Sequence, residues 1–140
     1  MTVLVVEQAL ISRLTGDSTL QSLLTGSGRI YHGLEIPIPK VPSVTYINEV
    51  NTPLDSFRAD IIGPMEEYYR FNVFADNYEA VVERIYRLLH QYSFPALSGM
   101  TIKSCVWDWT GPDEFDEKLQ VGSKMIRFKI IVIRSAQEPV

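Results

Sequence analysis

Two histidines and one cysteine are the side chains in this sequence that most often bind metals or act as nucleophiles. His32 and His90 have no second histidine at helical spacing, so the zinc-binding pattern HExxH is absent. Cys105 has no partner for an internal disulfide or a thiolate metal cluster, and we expect it to be a small apolar residue within a strand. These residues therefore predict neither a metal site nor covalent catalysis.

The densest group of carboxylates is the sequence DEFDE at 113–117. Clustered oxygens can bind calcium, but the EF-hand spacing, with its glycine and distant glutamate, is missing, which favours a solvated loop. Residues 26–28, GSG, lack the lysine of a phosphate-binding loop and the GxGxxG pattern, and no serine lies in a GxSxG sequence. We predict no cofactor, and we predict that the chain is not an enzyme.

Composition is typical of an ordinary globular protein. The chain has 140 residues, of which 46% are hydrophobic, with 17 acidic and 13 basic residues and a formal net charge of -4. This length predicts one domain, 1–140, and the charge gives no general attraction for nucleic acid, whose binding depends on lysine and arginine. We find neither a secretory signal nor an apolar run long enough to span a membrane. We expect a soluble chain made inside the cell, with no membrane partner.

The clearest structural pattern lies in residues 68–92, where a strand pattern changes to a helix pattern at Asp76. In the first part, apolar and aromatic residues alternate with their neighbours, which predicts a strand with one buried face. The second part predicts an amphipathic helix over about 77–92, with Asp76 as N-cap and Glu79 completing a capping box. We expect the helix to end near Ser93, because the proline two positions later disfavours helical geometry before it. The expected buried stripe comprises Tyr78, Val81, Val82, Ile85, Leu88, Leu89 and Tyr92.

The remaining predicted elements complete the fold around this strand and helix. The fold class is α+β: a mixed or antiparallel β-sheet of about four to five strands, with an N-terminal helix pair and one long amphipathic helix packed on the sheet. Asp17 is expected to cap the second N-terminal helix. The predicted helices of the pair are 2–15 and 18–25, and the further strands are 29–31, 43–50, 100–109 and 123–134.

Three segments fall outside these elements: a long loop at 51–64, an acidic loop at 110–122 and a tail at 135–140 that we expect to be frayed. The long loop exceeds the length of a hairpin connection and mixes apolar with charged residues, which is typical of an interaction arm or an ordered flap. Phe57 and Arg58 are residue types that anchor interfaces. The alternative is a loop folded back on its own sheet.

Two tryptophans and two cations complete the residues that we expect at a subunit or partner interface. Trp107 and Trp109 are two apart on one strand, so we expect both on the same face, either in the core against a helix or in a partner surface. Arg127 and Lys129 share one face of the last strand, whose mixture of apolar and basic residues indicates a sheet covered on both sides. The interface candidates are Leu54, Asp55, Phe57, Arg58, Asp60, Trp107, Trp109, Arg127 and Lys129.

Three stretches carry a family resemblance: ALISRLTGDSTLQSLLTGSGRIYHG, then PSVTYI, then FNVFADNYEAVVERIYRLL. In this order the chain resembles the tail-completion or tail-terminator proteins of long-tailed bacteriophages, which are minor tail proteins of the siphophage type. The resemblance extends from Val6 to Arg134, and it depends on combined order and spacing, because none of the stretches is a catalytic motif. The long segment 51–64 and the acidic residues 113–117 depart from the family pattern.

The resemblance implies a structural role. Tail-terminator proteins form a ring, typically of six subunits, on the head-proximal end of the tail tube, where the ring ends tube polymerisation and binds the head connector. It therefore implies self-association, contacts with the tail tube protein and the head-completion protein, and a place in the virion after assembly in the host bacterial cytoplasm. DNA would pass through the ring without specific binding, and a net acidic subunit suits such a lumen. A ring requires head-to-tail contacts, and we expect free subunits to stay monomeric until the tube templates them.

Two other functions stay open at the level of sequence. A head-side neck or connector protein would also be a ring subunit with a sheet-and-helix core. A small α+β domain that binds nucleic acid or another ligand is the second alternative, because a strand with aromatic residues followed by a helix is similar to a ferredoxin-like RNA-binding sheet. The strand sequence YYRFNVFAD lacks the glycines and leading basic residues of the RNP1 motif, which disfavours RNA binding.

Overall fold

The computed structural model describes residues 2–26, 28–33, 40–53, 64–97 and 99–134, and it has the predicted α+β architecture. In these residues the sheet has six strands, two of them only three residues long, where about four to five were predicted. The elements are α1 (Thr2–Thr15), α2 (Ser18–Leu23), β1 (Ile30–His32), β2 (Ser43–Pro53), β3 (Met65–Phe74), α3 (Tyr78–Leu89), β4 (Met100–Thr110), β5 (Glu114–Asp116) and β6 (Val121–Arg134).

The sheet is mixed, with strand order β1-β2-β3-β6-β4 and β5 paired beside β6. β1 is parallel to β2, and the other pairings are antiparallel. The central strands β3 and β6 have the strictest alternation, and Phe71 and Phe128 are fully buried on the same side. Their rings meet edge to face at 6.1 Å between centroids, a favourable aromatic geometry.

The helices cover one face of this sheet. Five residues of the predicted α3 stripe are buried, and α3 packs against β3, β4 and β6. α1 contributes the buried residues Val6, Leu10 and Leu14, whose spacing of four residues places them on one side of the helix. The core is therefore a layer between the helices and one sheet face, and the other sheet face is left without a helix among the described residues.

Asp17 fixes the helix pair to the rest of the layer. Its carboxylate accepts a hydrogen bond from the backbone N–H of Leu20 at 2.8 Å, so it caps α2 as predicted. The same carboxylate accepts two hydrogen bonds from Arg84 of α3, at 2.7 and 2.9 Å. The side chain of Asp17 thus caps the N-terminus of α2 and ties α2 to α3.

The predicted boundaries of α3 are wrong at both ends. The helix begins at Tyr78, its N-cap is Asn77, and no side chain caps it, so the predicted capping box of Asp76 does not form. Glu79 contacts Lys124 of β6 instead. The helix ends at Leu89, because Gln91 adopts a φ of 61° and donates its backbone N–H to the carbonyl of Cys105.

The predicted loops are shorter than expected. β2 continues through 51–53 and β3 begins at Met65, so only 54–64 of the predicted long loop connects the two strands. Of this connection, 54–63 lies outside the described residues. Within the acidic loop, residues 114–116 pair with 121–123 as a hairpin, where an irregular loop was predicted. The four-residue connection forms because Asp116 accepts a hydrogen bond from the backbone N–H of Leu119 at 2.8 Å. The expected frayed tail also lies outside the described residues.

Candidate interaction surfaces

The sheet face opposite the helices, here called the open face, carries a row of ion pairs. Glu49 bridges two guanidinium groups, with oxygens 2.8 Å from Arg70 and 3.3 Å from Arg127. Arg127 also donates to Asp108 at 2.8 Å, and this hydrogen bond is the main cause of its raised pKa. These side chains come from four strands, so the antiparallel register assembles the row.

A further ion pair extends this row along β3 and β6. Lys129 lies 3.7 Å from Glu66, which also accepts a hydrogen bond from the hydroxyl of Tyr68 at 2.9 Å. The three cations and three carboxylates of the row are 20 to 37% exposed. Each cation of the row already has a carboxylate partner, so the open face offers no unpaired cation of this row to a phosphate.

Two aromatic rings flank Arg127 on the open face. Its guanidinium carbon lies 5.0 Å from the ring centroid of Tyr68 and 5.9 Å from that of Trp109, which is within cation–π range. Trp109 is 42% exposed. Arg127, Lys129 and Trp109, three of the residues chosen from the sequence, are therefore brought together on one surface.

Trp107 does not join this surface, and the prediction that the two tryptophans share a face is wrong. Trp107 pairs with Phe128 and Trp109 pairs with Arg127, with a register shift between them. A β-bulge of this kind inserts one residue and reverses the alternation of side chains. The inserted residue is Asp108, which becomes a partner of Arg127 and which the sequence analysis missed.

A second register shift in β4 determines the face on which Cys105 lies. It lies between Ile102 and Ser104, and it places Cys105 on the helix side with Ile102, although uninterrupted alternation puts residues three apart on opposite faces of a strand. Cys105 is fully buried, and burial raises the pKa of its thiol to about 12. It is a packing residue of a strand, as predicted.

Trp107 instead forms an exposed aromatic cluster at the edge of the helix layer. Its backbone N–H donates to Nδ1 of His90 at 2.9 Å, and the ring of Tyr86 stacks on His90 at 4.8 Å. Tyr86 and Trp107 are 37 and 44% exposed and line a groove of about 630 Å³ beside α3. Tyr86 and His90 were not among the interface candidates predicted from the sequence. The apolar and aromatic residues of the helix do not indicate that β4 lies beside Tyr86 and His90.

A second groove, here called the α1 groove, lies between α1 and residues 92–97 and has a volume of about 530 Å³. Arg13 forms its wall, with the guanidinium carbon 3.8 Å from the ring centroid of Tyr92 and Nε donating to the carbonyl of Leu88 at 3.1 Å. The other lining residues are Val5, Gln8, Ala9, Ser12, Gly16, Phe94, Pro95 and Leu97.

The hairpin formed by 114–116 and 121–123, here called the acidic hairpin, projects an aromatic side chain. Phe115 is 60% exposed, the largest exposed fraction among the large hydrophobic residues of the described chain. Asp113, just before the hairpin, holds Lys124 at 2.8 Å. A solvated acidic loop was predicted here, and the structure adds an ordered aromatic side chain at its centre.

One buried carboxylate, that of Glu67, lies outside both grooves. Glu67 is fully buried, and one of its oxygens accepts a hydrogen bond from Tyr69 at 2.6 Å while the other has no partner among the described residues. Burial raises the pKa of Glu67, and the charge of nearby Glu7 adds to the shift. Neither groove is lined by Glu67 or Glu7, so a substrate in these grooves would not reach them.

Metal-binding clusters and membrane-spanning helices are both absent from the described ranges. In 2–26, 28–33, 40–53, 64–97 and 99–134, no three histidine, cysteine or acidic residues converge in a way that could hold a metal ion. No helix in that part of the chain is long and apolar enough to cross a membrane. The loop candidates Leu54, Asp55, Phe57, Arg58 and Asp60 lie outside the described residues, so their placement stays a prediction.

Comparison with known proteins shows a similarity to a solved structure. No protein-family model matches the chain, and no curated protein matches it. Among solved structures, the chain is similar to a chain in the virion of a native gene transfer agent particle, with a TM-score of 0.68 and 15% sequence identity. The similarity covers 90% of this chain and 92% of that chain, so the two share their fold over nearly their whole lengths.

Proposed function

We propose that this chain is a structural protein of a phage-like virion and performs no catalysis. The observation that carries this proposal is the shared fold with a virion chain across 90% of one chain and 92% of the other. Coverage of 90% of this chain takes in most of its helices and strands, and therefore most of the stretches behind the resemblance to tail-terminator proteins. Two independent comparisons, one of sequence pattern and one of fold, thus favour the same class of particle.

Within that class, the chain caps the head-proximal end of the tail tube as a ring, with six subunits as the expected number. The ring ends tube polymerisation and presents a docking surface to the head-completion protein. Support comes from the sequence resemblance, which extends from Val6 to Arg134. Free subunits stay monomeric until the tube templates them, which native mass spectrometry at micromolar concentration would check; stable rings without tubes would contradict it.

The open face is the surface that we assign to contacts with other virion subunits. Trp109, Arg127 and Lys129 lie together there, and aromatic residues and arginine are enriched at the centres of interfaces. The ion pairs hold the arginine side chains in place before binding, which reduces the entropy lost when a partner orders them. The loop residues Leu54, Asp55, Phe57, Arg58 and Asp60 are proposed to contact a neighbouring subunit or the tube.

DNA passes such a ring without being bound specifically. Affinity for the phosphate backbone comes from cations that replace its counterions. The three cations of the open-face row are paired with carboxylates, and the chain is net acidic at -4. Both features limit the affinity of the chain for DNA, and they disfavour the alternative of a nucleic-acid-binding module.

Polymerisation of the tail tube protein from the same phage, with and without the purified chain, tests the proposal by electron microscopy. We expect rings at one end of each tube and no growth beyond that end. Binding to the head connector with no effect on tubes would favour the head-side neck alternative. A salt-dependent shift of labelled DNA or RNA at submicromolar protein would favour the nucleic-acid-binding alternative.

A further inference from the structure

We propose that the acidic hairpin of one copy of this chain docks through Phe115 into the α1 groove of a second copy. The contact is head to tail, because it joins two different surfaces. The inference deepens the proposed function, and it rests on that function only in taking copies of the chain to meet in a ring.

The first partner in this contact is an aromatic side chain that its own chain leaves uncovered. Phe115 is 60% exposed, yet it is held in register opposite Gly122. An aromatic residue on an ordered strand loses little conformational entropy on binding, which is why such residues anchor interfaces. Four carboxylates lie beside it within residues 113–117, with Lys118 in the following turn. Asp113 pairs with Lys124 and Asp116 accepts the backbone N–H of Leu119, so Glu114 and Glu117 supply the acidic rim around this apolar centre.

The second partner has the complementary chemistry. The floor of the α1 groove is apolar and aromatic, and its volume of about 530 Å³ can hold a phenylalanine side chain. Arg13 is the one charged residue among its described lining residues; it lies on the ring of Tyr92, donates to the carbonyl of Leu88 and contributes to the lowered pKa of Asp17 through its charge. An acidic rim placed against this arginine, with a phenylalanine beside Tyr92 and Phe94, matches the groove in both charge and polarity.

The hairpin cannot occupy the groove of its own chain. Tyr78, the first residue of α3, packs over Gly122 so closely that a Cβ at Gly122 would lie 2.5 Å from its ring. The α1 groove lies beyond the other end of α3, at Tyr92 and Phe94. The 12 residues of α3 give a helix of about 18 Å, so roughly this length separates the two surfaces. A second copy must therefore supply the groove.

The hairpin–groove contact repeats from one copy to the next. Each copy that inserts its hairpin into a neighbour still has an empty groove, and a heterologous contact of this kind continues until a ring closes or a filament forms. Because the contact uses the helix layer at both ends of α3, it leaves the open face free for the tube or the connector. One subunit can thus bind its neighbours and other virion proteins through separate surfaces.

Thiol cross-linking between two differently labelled populations tests the contact without removing its anchor. Glu117→Cys places a thiol on the hairpin, and Ser12→Cys places one on the groove; both positions are exposed, whereas the native Cys105 is fully buried. The two variants are mixed at about 1 mM, where even a contact with a Kd near 1 mM is well populated, and treated with a short bis-maleimide. The matched control replaces Ser12→Cys with Lys103→Cys, an exposed position on β4 outside both surfaces.

We expect the hairpin–groove mixture to cross-link about fivefold faster than the control mixture, because a specific contact raises the effective concentration of the two thiols. Adding Phe115→Ala to the Glu117→Cys chain should lower the rate to that of the control. Equal rates in the two mixtures, or a rate that Phe115→Ala leaves unchanged, would overturn the contact. The cross-linking assay contains no tails, so it tests the contact separately from the proposed function. Cross-linking at the control rate by a chain that still caps tubes would reject only the hairpin–groove contact. Faster cross-linking of the hairpin–groove mixture by a chain that does not cap tubes would reject only the proposed function.

Discussion

Asp17 and Asp76 each precede a helix, but only Asp17 accepts a hydrogen bond from the helix that follows it. The difference lies in backbone position, since α3 begins one residue later than the sequence indicated and Asn77 occupies the cap position. Hydrogen bonding from Arg84 is the largest cause of the lowered pKa of Asp17, outweighing burial, which acts in the opposite direction. Residue type predicted a capping aspartate at both sites, and the geometry of the chain decided which one caps.

Replacing Asp17 by alanine should therefore lower the free energy of unfolding at pH 7 by about 1 to 2 kcal/mol, the usual cost of losing an N-cap. The folded-state pKa is depressed, so the stabilisation is present above the unfolded pKa near 4 and is lost as pH falls through the folded pKa. Urea denaturation from pH 7 to pH 2.5 should show the difference between wild type and variant shrinking at acidic pH. Asp76→Ala is the matched control, with a change below about 0.5 kcal/mol; equal losses in the two variants would contradict this account.

Glu67 should show the opposite dependence on pH. Because burial raises its folded pKa, the contribution of Glu67 to stability is greatest below the unfolded pKa of about 4.3 and is lost as pH rises through the folded value. Glu67→Gln cannot ionise, so we expect the variant to gain stability relative to wild type between pH 4 and pH 8. Denaturation curves across this range measure the gain, with exposed Glu114→Gln as control. A Glu67→Gln variant with a pH-independent difference would refute the assignment.

Among the elements, regular alternation and regular helical spacing could be predicted, and irregularities could not. The faces of β3 and β6 and the buried stripe of α3 follow from residue period, which is why Arg127 and Lys129 were chosen correctly as neighbours on one face. The bulge beside Asp108 and the pairing of 114–116 with 121–123 depend on register between strands. No local pattern encodes that register, so the partners of Arg127 and the ordered position of Phe115 emerged only in three dimensions.

The bulge in β4 provides a matched pair of tryptophans for testing the open face. Trp107 and Trp109 are 44 and 42% exposed on opposite faces of the strand. We expect Trp109→Ala to reduce the joining of tails to heads, because it removes an aromatic side chain from the proposed contact surface, while Trp107→Ala leaves joining near the wild-type level. Complementation of a phage that lacks the chain, scored by the fraction of joined particles, measures both. The reverse order of effects would assign partner binding to the helix side.

The loop at 54–63 calls for a combined substitution, since its proposed contact involves several side chains. Replacing Leu54, Phe57 and Arg58 together by alanine should leave the circular dichroism spectrum and thermal midpoint close to wild type and impair tail joining, because these residue types anchor interfaces. The same complementation assay provides the measurement. Tails of normal length joined to heads in the triple variant would show that the loop is not a partner contact.

On the scale of the whole molecule, the chain separates three kinds of surface around one core. The open face presents paired charges and aromatic side chains, the acidic hairpin presents Phe115, and the α1 groove lies beyond the far end of α3. A subunit with two unlike ends and a free sheet face can bind copies of itself in one direction and other proteins in another. This division of surfaces is the one that the proposed ring requires of each subunit.

The most direct test of this account is the length of tail tubes in a phage from which the gene for this chain is deleted. We predict tubes that grow beyond their normal length and remain unjoined to DNA-filled heads, and we predict that adding the purified chain to tails of normal length restores joining. Tails of normal length, joined to heads in the absence of the chain, would contradict the central claim.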